Sequence, residues 1–285
     1  MQEHSFRLTL ACPDAVGIVA AVSSFFANEG GLITEANHFR DPESKWFFTR
    51  QVIAADSLPY SLAELQRRFE PIASKFAMQW QVVETRLPKK VVLMVSKQAH
   101  CLADLLYRWR SGEMPANIAG VISNHDDLRD YVEWHNLPYY HVPAVDGSKE
   151  QHFQAVTTLL EQINPEVIVL ARFMQILPPT LCEQFAGKII NIHHSFLPAF
   201  SGARPYHQAA ERGVKLIGAT CHYVTEDLDA GPIIDQDIMR ISHHDTIEDM
   251  ARKGKDVEKT VLARGLRFHL EDRVLIHGNK TVVFE

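Results

Sequence analysis

The sequence predicts a mixed α/β protein of two domains: a small βαββαβ unit, then a larger doubly wound, mostly parallel sheet. Three observations lead to this class. The chain has 285 residues, about two domains at roughly 150 residues each. Up to about residue 85, two helix-period segments are set among four strand-type ones. From residue 89, short apolar runs alternate with helix-period segments, the pattern of a parallel sheet covered by helices.

Residues 5–12 alternate well enough for a strand, which Pro13 and Asp14 end. Residues 16–28 space Val19, Val22 and Phe26 as a helical face, and Gly30 and Gly31 stop that helix. Two apolar strands follow at 31–39 and 45–55, separated by a turn at 40–43. Ser61 precedes Glu64 by three positions, the capping-box spacing, and opens a helix whose apolar face is Leu62, Leu65 and Phe69, with Pro71 near its end. A last strand at 77–85 completes a ferredoxin-like order, and a linker at 87–90 closes the first domain, residues 1–86.

In the second domain, residues 87–285, strands are expected at 89–95, 118–122, 139–142, 167–171 and 188–192. Helices at 102–110, 127–135, 151–163 and 179–185 lie between them. Two extended segments, 216–225 and 232–241, then run without an intervening helix. Helices near 246–252 and 257–270 and a hairpin turning through Gly278 and Asn279 end the chain.

Hydrophobic residues make up 46% and charged residues 22%, near globular averages, which excludes wholesale disorder. The net charge is −6, so a broad phosphate-neutralising surface and a nucleic-acid partner are not expected. The first residues lack the basic head and apolar run of a signal peptide, and no run of 18 apolar residues exists; a cytoplasmic protein without a membrane partner is expected. The four cysteines are scattered with no CxxC pair, which fits a reducing compartment. The oddity is 15 histidines, among them the doublets His193–His194 and His243–His244.

In open α/β sheets ligands bind beyond the carboxyl ends of the strands, here near 96–101, 172–178 and 191–202. The last is the most unusual: Asn191 interrupts an apolar strand and His193–His194 ends it. Asp229 stands in a turn before Gly231 and Pro232. An amide, an imidazole and a carboxylate at strand ends suit acyl transfer. Asn191 and His193 can donate to a developing oxyanion, and Asp229 can orient water or an amine and hold His193 in one tautomer. Read singly, each has a structural role to set against this: a core amide, a strand-end imidazole, a turn carboxylate. His194 is assigned to the loop, His243 and His244 to a helix entry, and His207 and His222 to structure. A zinc set of His193, His194, His222 and Asp229 is disfavoured, because adjacent strand residues face opposite ways and no HExxH or HxH occurs.

These residues resemble the folate-dependent formyltransferase family. The likeness is carried by Asn191–Ile192–His193, by Phe196–Leu197–Pro198 with Phe200 and Gly202, and by Asp229–Ala230–Gly231–Pro232–Ile233. Arg172–Phe173–Met174–Gln175–Ile176–Leu177 is similar to the family's pteridine-pocket strand end, and the match runs over about residues 89–283. The resemblance implies a site for 10-formyltetrahydrofolate as substrate, with no cofactor. Asn191, His193 and Asp229 would be the catalytic trio. The pterin would lie against Met174, Gln175, Ile176 and Leu177 and against the loop holding Val224, Thr225 and Asp227.

Family members that formylate glycinamide ribonucleotide carry a Gly-rich loop after the first strand of this domain, which cradles a phosphate. Here residues 96–101 contain no glycine. The resemblance then implies water as the acceptor and hydrolysis of a linear amide C–N bond to formate and tetrahydrofolate, serving one-carbon and purine metabolism. Transfer to an amine such as glycinamide ribonucleotide is the alternative. The segments 14–19 and 28–33 resemble an ACT domain, which implies homo-oligomer assembly and an amino-acid effector site at Asp14, Val16, Gly17 and Gly30, with glycine or methionine as effectors.

Overall fold

The computed structural model describes residues 4–144, 149–199 and 205–285; Phe200 and Gly202 lie outside the described residues. The chain divides into two compact units. One is Met1–Pro88 with Glu271–His277 and Thr281–Glu285; the other is Lys89–Leu270 with Gly278–Lys280.

The first unit runs β1 (Ser5–Pro13), α1 (Ile18–Asn28), β2 (Ile33–Asp41), β3 (Trp46–Ala54), α2 (Leu62–Lys75), β4 (Gln79–Glu84). Its antiparallel sheet has the order β2-β3-β1-β4. Leu8 and Leu10 of β1 pack against Val22 and Phe26 of α1 and Leu65 and Phe69 of α2. Ser61 Oγ accepts the Glu64 N–H at 3.3 Å, so the cap forms as its spacing predicts. Two expectations fail in detail. Val19 is 40% exposed, and Ile18, Val22, Phe25 and Phe26 form the buried stripe instead. Pro71 sits inside α2, on its exposed side, where solvent can take the carbonyl that proline leaves unbonded.

Strands β12 (Val274–His277) and β13 (Lys280–Val283) form the expected hairpin, with Gly278 at φ +58° in its turn. Leu275 and Phe284 pack on Ala11 and Phe48. Arg50, 2% exposed, donates to the Glu271 carbonyl at 3.0 Å and to the Glu35 carboxylate at 2.7 Å. The last residues, counted with the second domain in the sequence, therefore pack with the first unit.

The second unit contains β5 (Lys89–Val95), α3 (His100–Arg110), β6 (Ala116–Ser123), α4 (Arg129–Trp134), β7 (Tyr139–His141), α5 (Lys149–Ile163), β8 (Val167–Leu170), α6 (Pro179–Gln184) and β9 (Ile189–His193). It continues with α7 (Pro205–Arg212), β10 (Leu216–Tyr223), β11 (Ile233–Arg240) and α8 (Ile247–Leu270). The sheet order is β11-β10-β9-β8-β5-β6-β7, parallel from β9 to β7 and antiparallel at β10 and β11. Val92, Met94, Ile168 and Leu170 are buried in it, as continuous apolar strands covered on both faces must be. The winding reverses between β5 and β8, so the ligand crevice is expected beyond those two strand ends.

Helix α7 was not legible in the sequence. The two helices expected near 246–252 and 257–270 are one, α8. Gly254 does not break it: a Cβ there would lie 1.9 Å from the Tyr206 hydroxyl, so the glycine is the seat of that ring. No helix among the described residues is long and apolar enough to cross a membrane.

Burial pushes the His194 imidazole down to about 4 and, helped by the charge of Lys89, His269 down to about 3. Both rings bind a proton more readily unfolded, near the usual 6.5, than folded. Their contribution to stability is therefore complete above about pH 6.5 and lost as pH falls toward 4 and then 3. Denaturant titrations across that window are expected to show unfolding coupled to uptake of about two protons. A flat stability profile between those limits would contradict the burial of both rings.

Candidate active site

Strand β9 places Asn191 and His193 two positions apart and hence on one face of the sheet. Antiparallel pairing with β10 sets His222 directly opposite Asn191. A β-bulge falls between Cys221 and His222, where β10 leaves the register of β11. His222 Nδ1 lies 2.9 Å from the Tyr223 carbonyl, which can only accept, so the hydrogen is on Nδ1 and Nε2 is an acceptor. The Asn191 amide donates to that Nε2 at 3.1 Å. Burial lowers the pKa of His222, keeping this acceptor neutral. Asn191 is thus held with its nitrogen fixed and a second N–H to offer. His222, expected to be structural, is set by the strand register to hold Asn191.

Asp229 approaches from the turn after β10. Its Oδ1 is 3.2 Å from His193 Nδ1 and 3.9 Å from His222 Nε2, and its side chain is 9% exposed. His193 is likewise buried, and its Nε2 has no hydrogen-bond partner among the described residues. The backbone of Asp229 is left-handed at φ +56°, which Asp tolerates better than most residues. Gly231 brings the turn back: a Cβ there would sit 1.9 Å from the Tyr223 carbonyl oxygen, and Tyr223 N–H donates to the Pro232 carbonyl at 2.9 Å. Gly231→Ala is expected to displace the Asp229 turn by about 1 Å and lower turnover about 100-fold with the fold retained. Kinetics and a thermal melt of the variant check this; unchanged turnover would show that the turn tolerates the shift.

A cavity of about 490 Å³ opens over these three groups. Met174, Gln175, Ile176 and Leu177 line it from the segment after β8, and Val224, Thr225 and Asp227 line it from the segment after β10. Apolar side chains such as Met174, Ile176, Leu177 and Val224 line it, and Asn191, His193 and His222 enter it from the strand ends. The Met174 N–H donates to Ser96 Oγ at 3.1 Å, and Ser96 in turn donates to Asn124 Oδ1 at 2.6 Å. This buried pair ties the segment after β8 to the ends of β5 and β6, at the reversal of winding. On the other side Thr220 Oγ1 donates to the Ser195 carbonyl at 2.8 Å and accepts from Leu197 N–H at 3.0 Å, fixing the chain after β9.

In the first unit Asp14 pairs with Arg40, Val16 is fully exposed, and Gly17 at φ +95° is the N-cap of α1. Gly30 lies at the far end of that helix, about 16 Å along its axis, and is not brought to the other three.

A doubly wound sheet with an amide, an imidazole and a carboxylate at its switch-point cavity belongs to the acyl-transfer class, and residues 89–266 match the family model described as Formyl transferase. The formyltetrahydrofolate deformylase of Bacillus subtilis (strain 168) is 47% identical over 283 residues, covering 99% of this chain and 94% of that protein. The crystal structure of a formyltetrahydrofolate deformylase from Pseudomonas syringae pv. tomato is 60% identical with a TM-score of 0.99, covering 100% of this chain and 96% of that one. More distant is glycinamide ribonucleotide transformylase 1 from Symbiobacterium toebii, 27% identical with a TM-score of 0.67 over 73% of this chain and 97% of that one. The chain belongs to the formyl transferase family and, within it, to the formyltetrahydrofolate deformylases.

Proposed function

We propose that the chain hydrolyses 10-formyltetrahydrofolate to formate and tetrahydrofolate, without a cofactor, in the cytoplasm. The observation that carries the reading is the convergence of Asn191, His193 and Asp229 on the cavity, in a chain 60% identical to a formyltetrahydrofolate deformylase over its whole length. Substrate enters with its pterin between the 174–177 segment and the 224–227 segment. The free N–H of Asn191 and the Nε2–H of His193, whose ring carries a hydrogen on each nitrogen when it stabilises the oxyanion beside Asp229, meet the formyl oxygen. Asp229 takes a proton from water as the water oxygen adds to the formyl carbon. The C–N bond then breaks, that proton passes to the folate nitrogen, and formic acid leaves and gives its remaining proton to solvent as formate. Asn191 and His193 act where negative charge develops, so their effect is on turnover rather than on binding.

The transferase alternative draws on relatives at 27–32% identity, against 60% for the deformylase. The first unit is read as an ACT-like module that assembles subunits and takes a small amino acid. Formate release from 10-formyltetrahydrofolate by the purified protein, with no amine present, tests the reading. Release of one formate per tetrahydrofolate is the expected result. Formyl transfer only when an amine is supplied would replace hydrolysis with the transferase reaction.

A further inference from the structure

Beyond the trio, the most unusual group in the second unit is a buried carboxylate, Glu258 of α8, 1% exposed. Its Oε2 accepts from His100 Nε2 at 2.7 Å and its Oε1 accepts from the Tyr206 hydroxyl at 2.8 Å. Arg172 Nε lies 3.5 Å from the same Oε2 but makes no hydrogen bond. Burial pushes the Glu258 carboxyl up, yet the His100 hydrogen bond and the Arg172 charge outweigh it and hold the group below the ordinary glutamate range, so it is ionised.

Arg172 is the link to the reaction site. It is 8% exposed and lines the same cavity as His193 and Asp229. Its backbone is left-handed at φ +66°, a strained conformation for a long side chain, which persists only where the surroundings hold it. His100 opens α3 at the carboxyl end of β5. The strand–helix turn beside the reversal of winding is where doubly wound sheets seat anionic ligands, on helix N–H groups and nearby cations. Here the local cation already faces a carboxylate, and the first side chain of the helix is bonded to it. His100, Cys101 and Glu258 also hold possible metal-ligand atoms within 4.8 Å of one another. The Arg172 guanidinium beside Glu258 opposes a divalent cation there, and the His100 proton already occupies Oε2.

We propose that Glu258 is a specificity-determining residue: by neutralising Arg172 at the β5–α3 side of the cavity it closes that side to phosphate-bearing acceptors and leaves water as the nucleophile. The proposal deepens the hydrolytic reading and rests on it. Removing the charge while keeping the shape, Glu258→Gln, exposes an unpaired buried cation, and an anion then gains what the carboxylate supplied.

Inorganic phosphate is the probe, with chloride at matched ionic strength as the control. Wild type is expected to be insensitive, in formate release and in thermal midpoint. Glu258→Gln is expected to bind phosphate at least about tenfold more tightly, seen as inhibition and as a phosphate-dependent rise in midpoint. Adding Arg172→Met to that variant should abolish the effect. Glu258→Asp keeps the pair charged but draws the carboxylate back by one methylene, and serves if the glutamine variant does not fold; its sensitivity should fall between the two. Phosphate responses of both variants equal to wild type would overturn the proposal. The midpoint readout needs no turnover, so absence of formate release by wild type would remove the hydrolytic reading while the masking of Arg172 was still being measured.

Discussion

Asp229→Asn is expected to lower formate release by roughly 10²–10⁴-fold, the range of a lost general base. The substitution is isosteric, and asparagine is at home in the left-handed conformation that Asp229 adopts at φ +56°. The turn, the cavity and the folate contacts should therefore survive, with the loss falling on turnover and not on KM. What disappears is the carboxylate 3.2 Å from His193, the group proposed to take the proton from attacking water. An amide in its place can still hydrogen-bond water but cannot accept that proton. The measurement is single-turnover formate release, with the thermal midpoint as a control for folding. Turnover within tenfold of wild type would remove Asp229 from the chemistry and leave it a turn residue.

That such a residue could be singled out at all follows from what sequence encodes locally. The apolar periods of 89–95 and 167–171 settle the parallel strands because those strands are buried on both faces, and their helices follow from spacing. Asn191 stands out because an amide inside an apolar strand must have a reason. His222 does not stand out. Its significance is the register that sets it opposite Asn191, 31 positions away in the chain, and register is a property of the folded pair. Arg172 is hidden for a different reason: nothing in the sequence announces an arginine at φ +66°. Glu258 reads as a surface charge on an amphipathic helix until His100, Tyr206 and Arg172 close over it. The role of Gly254 is equally invisible in the chain: it admits a ring from another helix. Local pattern fixes elements; what the elements do to one another's side chains is settled only by packing.

Asn191→Ala separates two functions that the proposed mechanism joins in one amide. Its free N–H is proposed to meet the formyl oxygen as charge develops there, and loss of one such donor lowers turnover by roughly 10²–10³-fold. Its other N–H satisfies His222 Nε2, a buried nitrogen with no hydrogen of its own. Truncation leaves that nitrogen unpaired, a penalty of about 1–3 kcal/mol. The variant should therefore be both slow and less stable, with KM for the folate little changed. His222→Ala isolates the second effect: it frees Asn191 to rotate but keeps both of its N–H groups, so turnover should fall by less than in Asn191→Ala. Combining the two should give less than the product of the separate losses in turnover, because a donor already removed cannot be misaligned. Independent, multiplicative effects would mean that His222 serves the site by some route other than holding Asn191.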